Sequence, residues 1–142
     1  MAKDLIVGVV DNYKWDQIKY WANSITKSGF DGHKALIVYN MDVETTERLT
    51  KEGFLLIGAN PYDDEKGFTA EKTGGNIMVD RFFFIYNFLK MLQDPMEVNH
   101  VIITDVRDVV FQKNPTAWLD DYMLPQYNLV LGSENQIGRA HV

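Results

Sequence analysis

The 142-residue chain has the length of one domain, and 46% apolar with 13% aromatic content gives it enough material for a folded core. Its formal charge of −6, spread along the chain, leaves no basic stripe to neutralise phosphates and excludes a nucleic-acid binder. The lack of cysteine excludes disulfides, thiolate chemistry and cysteine-ligated zinc, and no stretch approaches the roughly 18 apolar residues of a membrane span.

Lys3 and Asp4 lead directly into Leu5 to Val10, a β-branched run that reads as the first strand. With no secretory hydrophobic region ahead of it and no cysteine, the expectation is a cytoplasmic protein without a membrane segment. The strand ends on the polar turn Asp11-Asn12-Tyr13. Trp15, Ile18, Ala22 and Ile25 then keep helical spacing over Trp15 to Thr26, and Gly29 follows as a stop. Ala35 to Tyr39 is the second strand. Asp42 to Lys51 is a charged helix capped by Asp42 and ended by Gly53, and Phe54 to Ile57 is the third strand.

Gly58 to Gly75 breaks this rhythm with Asn60-Pro61, Asp63-Asp64, Gly67 and Gly74-Gly75, the marks of a functional or mobile loop. Asn76 to Gln93 is the longest and most apolar helix. Met78, Phe82, Ile85, Leu89 and Leu92 form its stripe, and Phe83, Phe84 and Phe88 widen it, which predicts burial on more than one side. Asp94-Pro95 ends it. Val101-Ile102-Ile103 reads as a fourth strand, apolar on both faces and therefore expected inside a covered parallel sheet. Asn114-Pro115 turns the chain into a short helix, Thr116 to Met123, with Thr116 as the expected cap. Asn128 to Leu131 is a fifth strand.

Alternation of strands and helices predicts parallel strands with right-handed crossovers, an α/β sandwich. No repeat or low-complexity segment interrupts it. The last six residues, Ile137 to Val142, match codon for codon a common sequencing-adaptor read (ATC GGA AGA GCA CAC GTC). They are therefore expected to be non-native, which sets residues 1–136 as the domain segment and 137–142 as a tail outside fold reasoning. His141 lies in that tail, His33 and His100 stand just before strands, and none has metal-ligand spacing.

In such a sheet the strand ends and the starts of the following helices share one rim, where ligands bind. Asp11, Asn12, Arg81, Asp105, Arg107, Asp108 and Glu134 are expected there. Arg81 lies beside the apolar stripe near the helix start. It either snorkels its stem over apolar neighbours or meets an anion, be it Asp105 or a ligand phosphate. Asp105 alone reads as a turn cap and Asp108 alone as a solvated acid. Together they fit a divalent cation shared with a diphosphate, provided the strand breaks into a turn after Thr104. Trp15, Trp21 and the phenylalanines read as core. Dinucleotide, P-loop and hydrolase-elbow motifs are absent.

Val101-Ile102-Ile103-Thr104-Asp105-Val106-Arg107-Asp108-Val109-Val110-Phe111-Gln112, followed by Asn114-Pro115, resembles the Asp-containing signature of GT-A glycosyltransferases. It is closest to nucleotide-diphospho-sugar transferases whose segment reads Thr/Ser-Asp-Val-Arg-Asp-Val-hydrophobic-Phe-Gln. The upstream Arg81-Phe82 is similar to the arginine that precedes this signature. The resemblance spans the first through fifth strands and implies a three-layer α/β/α Rossmann-like (GT-A) mostly parallel sheet, incomplete at the C-terminus. It implies a glycosyltransferase in full-length form, here a fragment that binds the donor and transfers nothing alone. Val10, Asp11, Asn12 and Tyr13 would flank base and ribose, Arg81 the diphosphate or donor sugar, Asp105 the ribose or metal, and Glu134 the acceptor or sugar, with Arg107 or Arg81 supplying part of the charge that stabilises the leaving group. A divalent cation, Mn²⁺ or Mg²⁺, would sit on Asp105 and Asp108, since Arg107 occupies the usual second acid position. The partners implied are a nucleotide-diphospho-sugar and a sugar or glycan acceptor. Two alternatives remain: a non-catalytic Rossmann-like nucleotide- or sugar-binding module, and a phosphoryl-transfer domain using Asp11. The latter lacks the Asp-x-Asp spacing of such nucleophiles and an obvious partner lysine.

Overall fold

A computed structural model describes residues 2–58, 60–70, 77–92, 98–123, 126 and 129. The elements run β1 (Lys3–Val10), α1 (Trp15–Lys27), β2 (His33–Val38), α2 (Val43–Lys51), β3 (Leu55–Gly58), α3 (Ile77–Met91), β4 (Val98–Ile103) and α4 (Pro115–Tyr122). The four strands form one all-parallel sheet in the order β3-β2-β1-β4, an α/β fold of Rossmann-like arrangement. The predicted fifth strand apart from Leu129, the Asp94-Pro95 stop, Glu134 and the tail lie outside the described residues.

β1 is the axis of the sheet because its pleat is apolar on both sides. Ile6 and Val10 face α1 and α2, where Ile18, Trp21, Ala22, Ile25 and Leu49 close over them. Leu5 and Val7 face α3, where Ile85 and Phe88 cover them together with Ala35 of β2. α1 and α2 thus lie on one face and α3 on the other. This is what right-handed crossovers require when the chain steps outward to β3 and then returns across β1 to β4.

Local chemistry sets the helix limits. Asp42 caps α2 by accepting from the Thr45 N–H at 2.8 Å, while Thr45 Oγ1 accepts from the Trp15 N–H at 3.0 Å and ties the two helix starts together. Gly29 and Gly53 take φ of +83° and +89° just beyond α1 and α2, the left-handed exits expected from sequence. At α4 the expected cap is corrected: Asn114, not Thr116, accepts from the Thr116 N–H at 3.0 Å, with Pro115 at the first helical position. Proline lacks the N–H that a helix leaves unpaired at its start, so it fits the first helical position and the cap stands two residues earlier than the Thr reading.

Two further expectations are corrected. β4 begins at Val98, pairs only with β1 among the described residues and stands at the sheet's edge among them, and its side chains alternate between half-buried and exposed rather than being covered on both faces. α3 buries one face only: Ile85 and Phe88 are buried, whereas Phe82 and Phe83 are exposed. The side chain of Met78 lies outside the described residues. Phenylalanine content alone reports apolar surface and not whether a neighbour exists to cover it.

β1 and β4 are also clipped at their amino ends. Asp4 is buried, and its Oδ1 accepts from the His100 backbone N–H at 3.1 Å and meets His100 Nδ1 at 2.9 Å. The clip sits where the β1–β4 register shifts between Lys3 and Leu5. Replacing Asp4 with alanine leaves both His100 groups without this acceptor, so Asp4→Ala is expected to lower stability by about 1–3 kcal/mol. Urea denaturation followed by circular dichroism measures this through the midpoint.

Candidate functional site on the carboxyl rim

β1 and β2 end level, with Val10 paired to Val38. β4 stops opposite Val7, and the chain from Thr104 onward passes close along the last residues of β1. Two side chains hold that passage. Thr104 Oγ1 accepts from the indole N–H of the fully buried Trp21 at 3.0 Å, and Val106 inserts into the core on the α1 face. Gly8 makes room for it: a Cβ there would lie 2.6 Å from Val106 Cγ1 and 3.4 Å from the Thr104 carbonyl oxygen. With Thr104 and Val106 turned inward, Asp105 is left to face α3. The backbone then bends at 106–108.

Asp105 forms an ion pair with Arg81, which reaches across from the second turn of α3. The Arg81 side chain is 25% exposed and that of Asp105 49%, so the pair lines an open lip. Asp105 is one of the two partners weighed for Arg81. The guanidinium lies over the Phe82 ring, 4.9 Å from its centroid, and its Nε is buried without a hydrogen-bond partner among the described residues. A guanidinium has five N–H donors, so pairing with one carboxylate leaves donors for a second anion.

Across the lip, Arg107 stands 5.9 Å from the centroid of the Tyr13 ring, beyond the end of β1. Asp11 Oδ1 accepts from Asn40 Nδ2 at 2.8 Å, Asn40 Oδ1 accepts from the Ala70 N–H at 3.0 Å, and the Asn40 carbonyl accepts from the Asn12 N–H at 2.9 Å. Asn12 adopts φ of +65°, a left-handed conformation that asparagine tolerates better than most residues. Asn40 therefore joins the ends of β1 and β2 to the loop before α3. The described part of that loop is well tied, with Met41 and Phe68 exchanging backbone hydrogen bonds of 3.0 and 2.9 Å. Next to Asn40, the Tyr39 hydroxyl has its pKa raised, first by desolvation and then by the charges of Asp80 and Asp11.

The rim thus gathers Asp11, Asn12, Tyr13, Arg81, Asp105 and Arg107, with Val10 closing the strand beneath, as the strand-end rule implies. Asp108 is exposed beyond the bend. Tyr39, Asn40 and Asp80 went unremarked in the sequence reading. The rule that selected Asp11 to Tyr13 after β1 selects Tyr39 and Asn40 after β2, and helix-start logic selects Asp80.

At this rim Asp105 pairs with Arg81 and Asp11 with Asn40, and Asp80 lies near enough to Tyr39 for its charge to raise the hydroxyl's pKa. No group of three or more His, Asp or Glu side chains among the described residues is placed to hold a metal ion. Asp105 already shares its carboxylate with Arg81, whose positive charge opposes a cation at the same oxygens.

Because Gly8 faces Val106, adding one methyl group forces the β4 exit away from β1. Gly8→Ala is expected to cost roughly 1–3 kcal/mol by overpacking, read as a lower denaturation midpoint. Thr104→Val leaves the buried Trp21 N–H unpaired at nearly constant volume and is expected to cost about 1–3 kcal/mol in the same assay.

Comparison with known proteins finds no matching family model, no matching curated protein and no matching solved structure, so functional assignment rests on the chemistry of this rim.

Proposed function

We propose that the rim binds a nucleotide-diphospho-sugar and that the full-length polypeptide is a glycosyltransferase, this segment being its donor-binding half. The observation that carries this reading is the Arg81–Asp105 pair, which brings the arginine of α3 to the acid-bearing turn of β4 on the ligand-binding edge. Asp105 lies in the motif through which the chain resembles nucleotide-sugar transferases, and Arg81 is similar to the arginine that precedes that motif.

The proposed division of labour follows from charge and hydrogen-bond capacity. Arg81, with donors left after pairing, and Arg107 neutralise the diphosphate, whose charge grows as it departs. Asp11 and Asn40 present a carboxylate and an amide fixed to one another, suited to ribose hydroxyls or base edges. The Tyr13 ring offers an apolar face beside them. Asp105 orients Arg81 and accepts from the ribose. Bound Mn²⁺ or Mg²⁺ would supply further positive charge, with Asp108 and phosphate oxygens as its ligands. The acceptor, a sugar or glycan, has no assigned residue among those described.

A binding module without chemistry is the second reading. It is favoured by one observation: Asp11 and Asp105 each already hold a partner through Oδ1, Asn40 and Arg81, as groups that orient a ligand do.

A thermal-shift panel of nucleoside diphosphates, with Mn²⁺ or with EDTA, tests the proposal. Saturation at 100 times Kd is expected to add about 2.7 kcal/mol of stability. Dependence on Mn²⁺ supports the transferase, and a shift unchanged by EDTA supports the module. Arg81→Ala and Asp105→Ala are expected to abolish the shift while changing the stability of the free protein by no more than about 1 kcal/mol, since the pair is exposed. A wild-type protein that responds to no nucleoside diphosphate, or variants that respond like wild type, overturns the reading.

A further inference from the structure

A second cleft, between α2, β3 and the 60–68 loop, shares no residue with the rim and stands independently of what the rim binds. Short-range chemistry shapes its loop wall. Asp63 and Gly67 exchange backbone hydrogen bonds of 3.1 and 2.8 Å, and Asp63 Oδ1 accepts from the Glu65 and Lys66 N–H groups at 2.8 and 2.9 Å. Gly67, at φ of +80°, passes so near the residues leading into α2 that a Cβ there would lie 2.1 Å from the Met41 carbonyl oxygen. The closed loop sets two rings. Phe68 is buried against Gly58, where a Cβ would lie 2.5 Å from Phe68 Cδ1, and Tyr62 leans on Phe68 with ring centroids 5.1 Å apart.

Both rings line, with Phe54 and Leu56, a cleft of about 860 Å³ among the described residues, whose other side is α2. Small-molecule sites occupy about 300–1,000 Å³ and combine an apolar, aromatic lining with a few polar groups. The cleft is of that kind. Its charged lining is Glu47 and Lys51 from α2 and Asp64 from the loop.

Those charges are unevenly placed. The Tyr62 hydroxyl has its pKa raised, first by desolvation and then by the charges of Glu47, Asp64 and Asp63, so carboxylates from helix and loop converge on the Tyr62 end. Lys51 stands about one turn further along α2. A cation over an aromatic face is attracted by the ring quadrupole, and neighbouring carboxylates add to that attraction. An inorganic cation leaves the apolar lining unused, and an anion meets the wrong charge at Tyr62. An ammonium carrying alkyl groups suits both parts.

We propose that this cleft binds a small organic ammonium ion, its alkyl groups on Phe54, Leu56 and Phe68 and its charge held by the Tyr62 ring, Glu47 and Asp64.

Three probes of nearly one shape test this on the 142-residue chain. They are choline, its neutral carbon isostere dimethylbutanol, and the dimethylbutanoate anion, each titrated while proton–nitrogen correlation NMR follows the amides. Choline is expected to shift the amides of Glu47, Phe54, Tyr62 and Asp64 saturably and to bind at least about tenfold more tightly than the alcohol, with the anion weaker still. Tyr62→Ala and Glu47→Gln, both at exposed side chains, should each weaken choline at least about fivefold. Glu47→Gln should leave the alcohol's affinity within about twofold, because only the charge is removed. Should Tyr62→Ala fail to fold, Glu47→Gln decides alone. Equal affinity for choline and the alcohol overturns the proposal by reducing the cleft to an apolar hollow. Tighter binding of the anion, shifts centred on other residues, or no saturable shift with millimolar choline overturns it as well.

Discussion

The candidate site depends on one close approach, that of Val106 to the missing side chain of Gly8. β4 ends before β1 does, and its continuation has to cross β1 without a ladder to hold it. Val106 anchors that crossing in the core, and Thr104 adds a hydrogen bond from Trp21 on the same side. With two alternate residues turned inward, the residue between them faces the other way, toward α3. The position of Asp105 is thus a consequence of packing beneath it, and Arg81 meets it because α3 returns over the same face. A pair that looks like surface electrostatics is placed by apolar contacts.

The same logic accounts for what the sequence disclosed. The β-branched run of β1, the helical spacing from Trp15 to Ile25 and the Asp42 cap are local signals, and each element formed where its signal lay. The all-parallel sheet followed from their alternation, and the shared rim followed from the parallel sheet. The Arg81–Asp105 contact was legible as one of two options because helical phase put Arg81 at the inner edge of α3. Phase could not choose between an acid of the protein and one of a ligand.

What remained illegible was relational. Val101 and Ile103 look equally suited to an interior strand and to an edge, because the run reports hydrophobicity and not neighbours. Phe82 and Phe83 misled for the same reason. Asn40 carried no signal by type, since an asparagine after a strand is ordinary turn chemistry. Its importance arises from geometry: the one side chain hydrogen-bonds both Asp11 and the Ala70 amide, thirty residues further on.

The ladder between β1 and β4 ends at Val7 and Ile103, three residues before β1 does, yet the chain continues beside β1 with Thr104 and Val106 against Gly8. The charged side chains that follow, Asp105 and Arg107, therefore come from a segment fastened by side chains and not by strand pairing, whereas Asp11 and Asn40 stand at the ends of paired strands. One wall of the rim is set by backbone pairing and the other by packing beneath it, so a change of volume under Val106 displaces the charged wall alone.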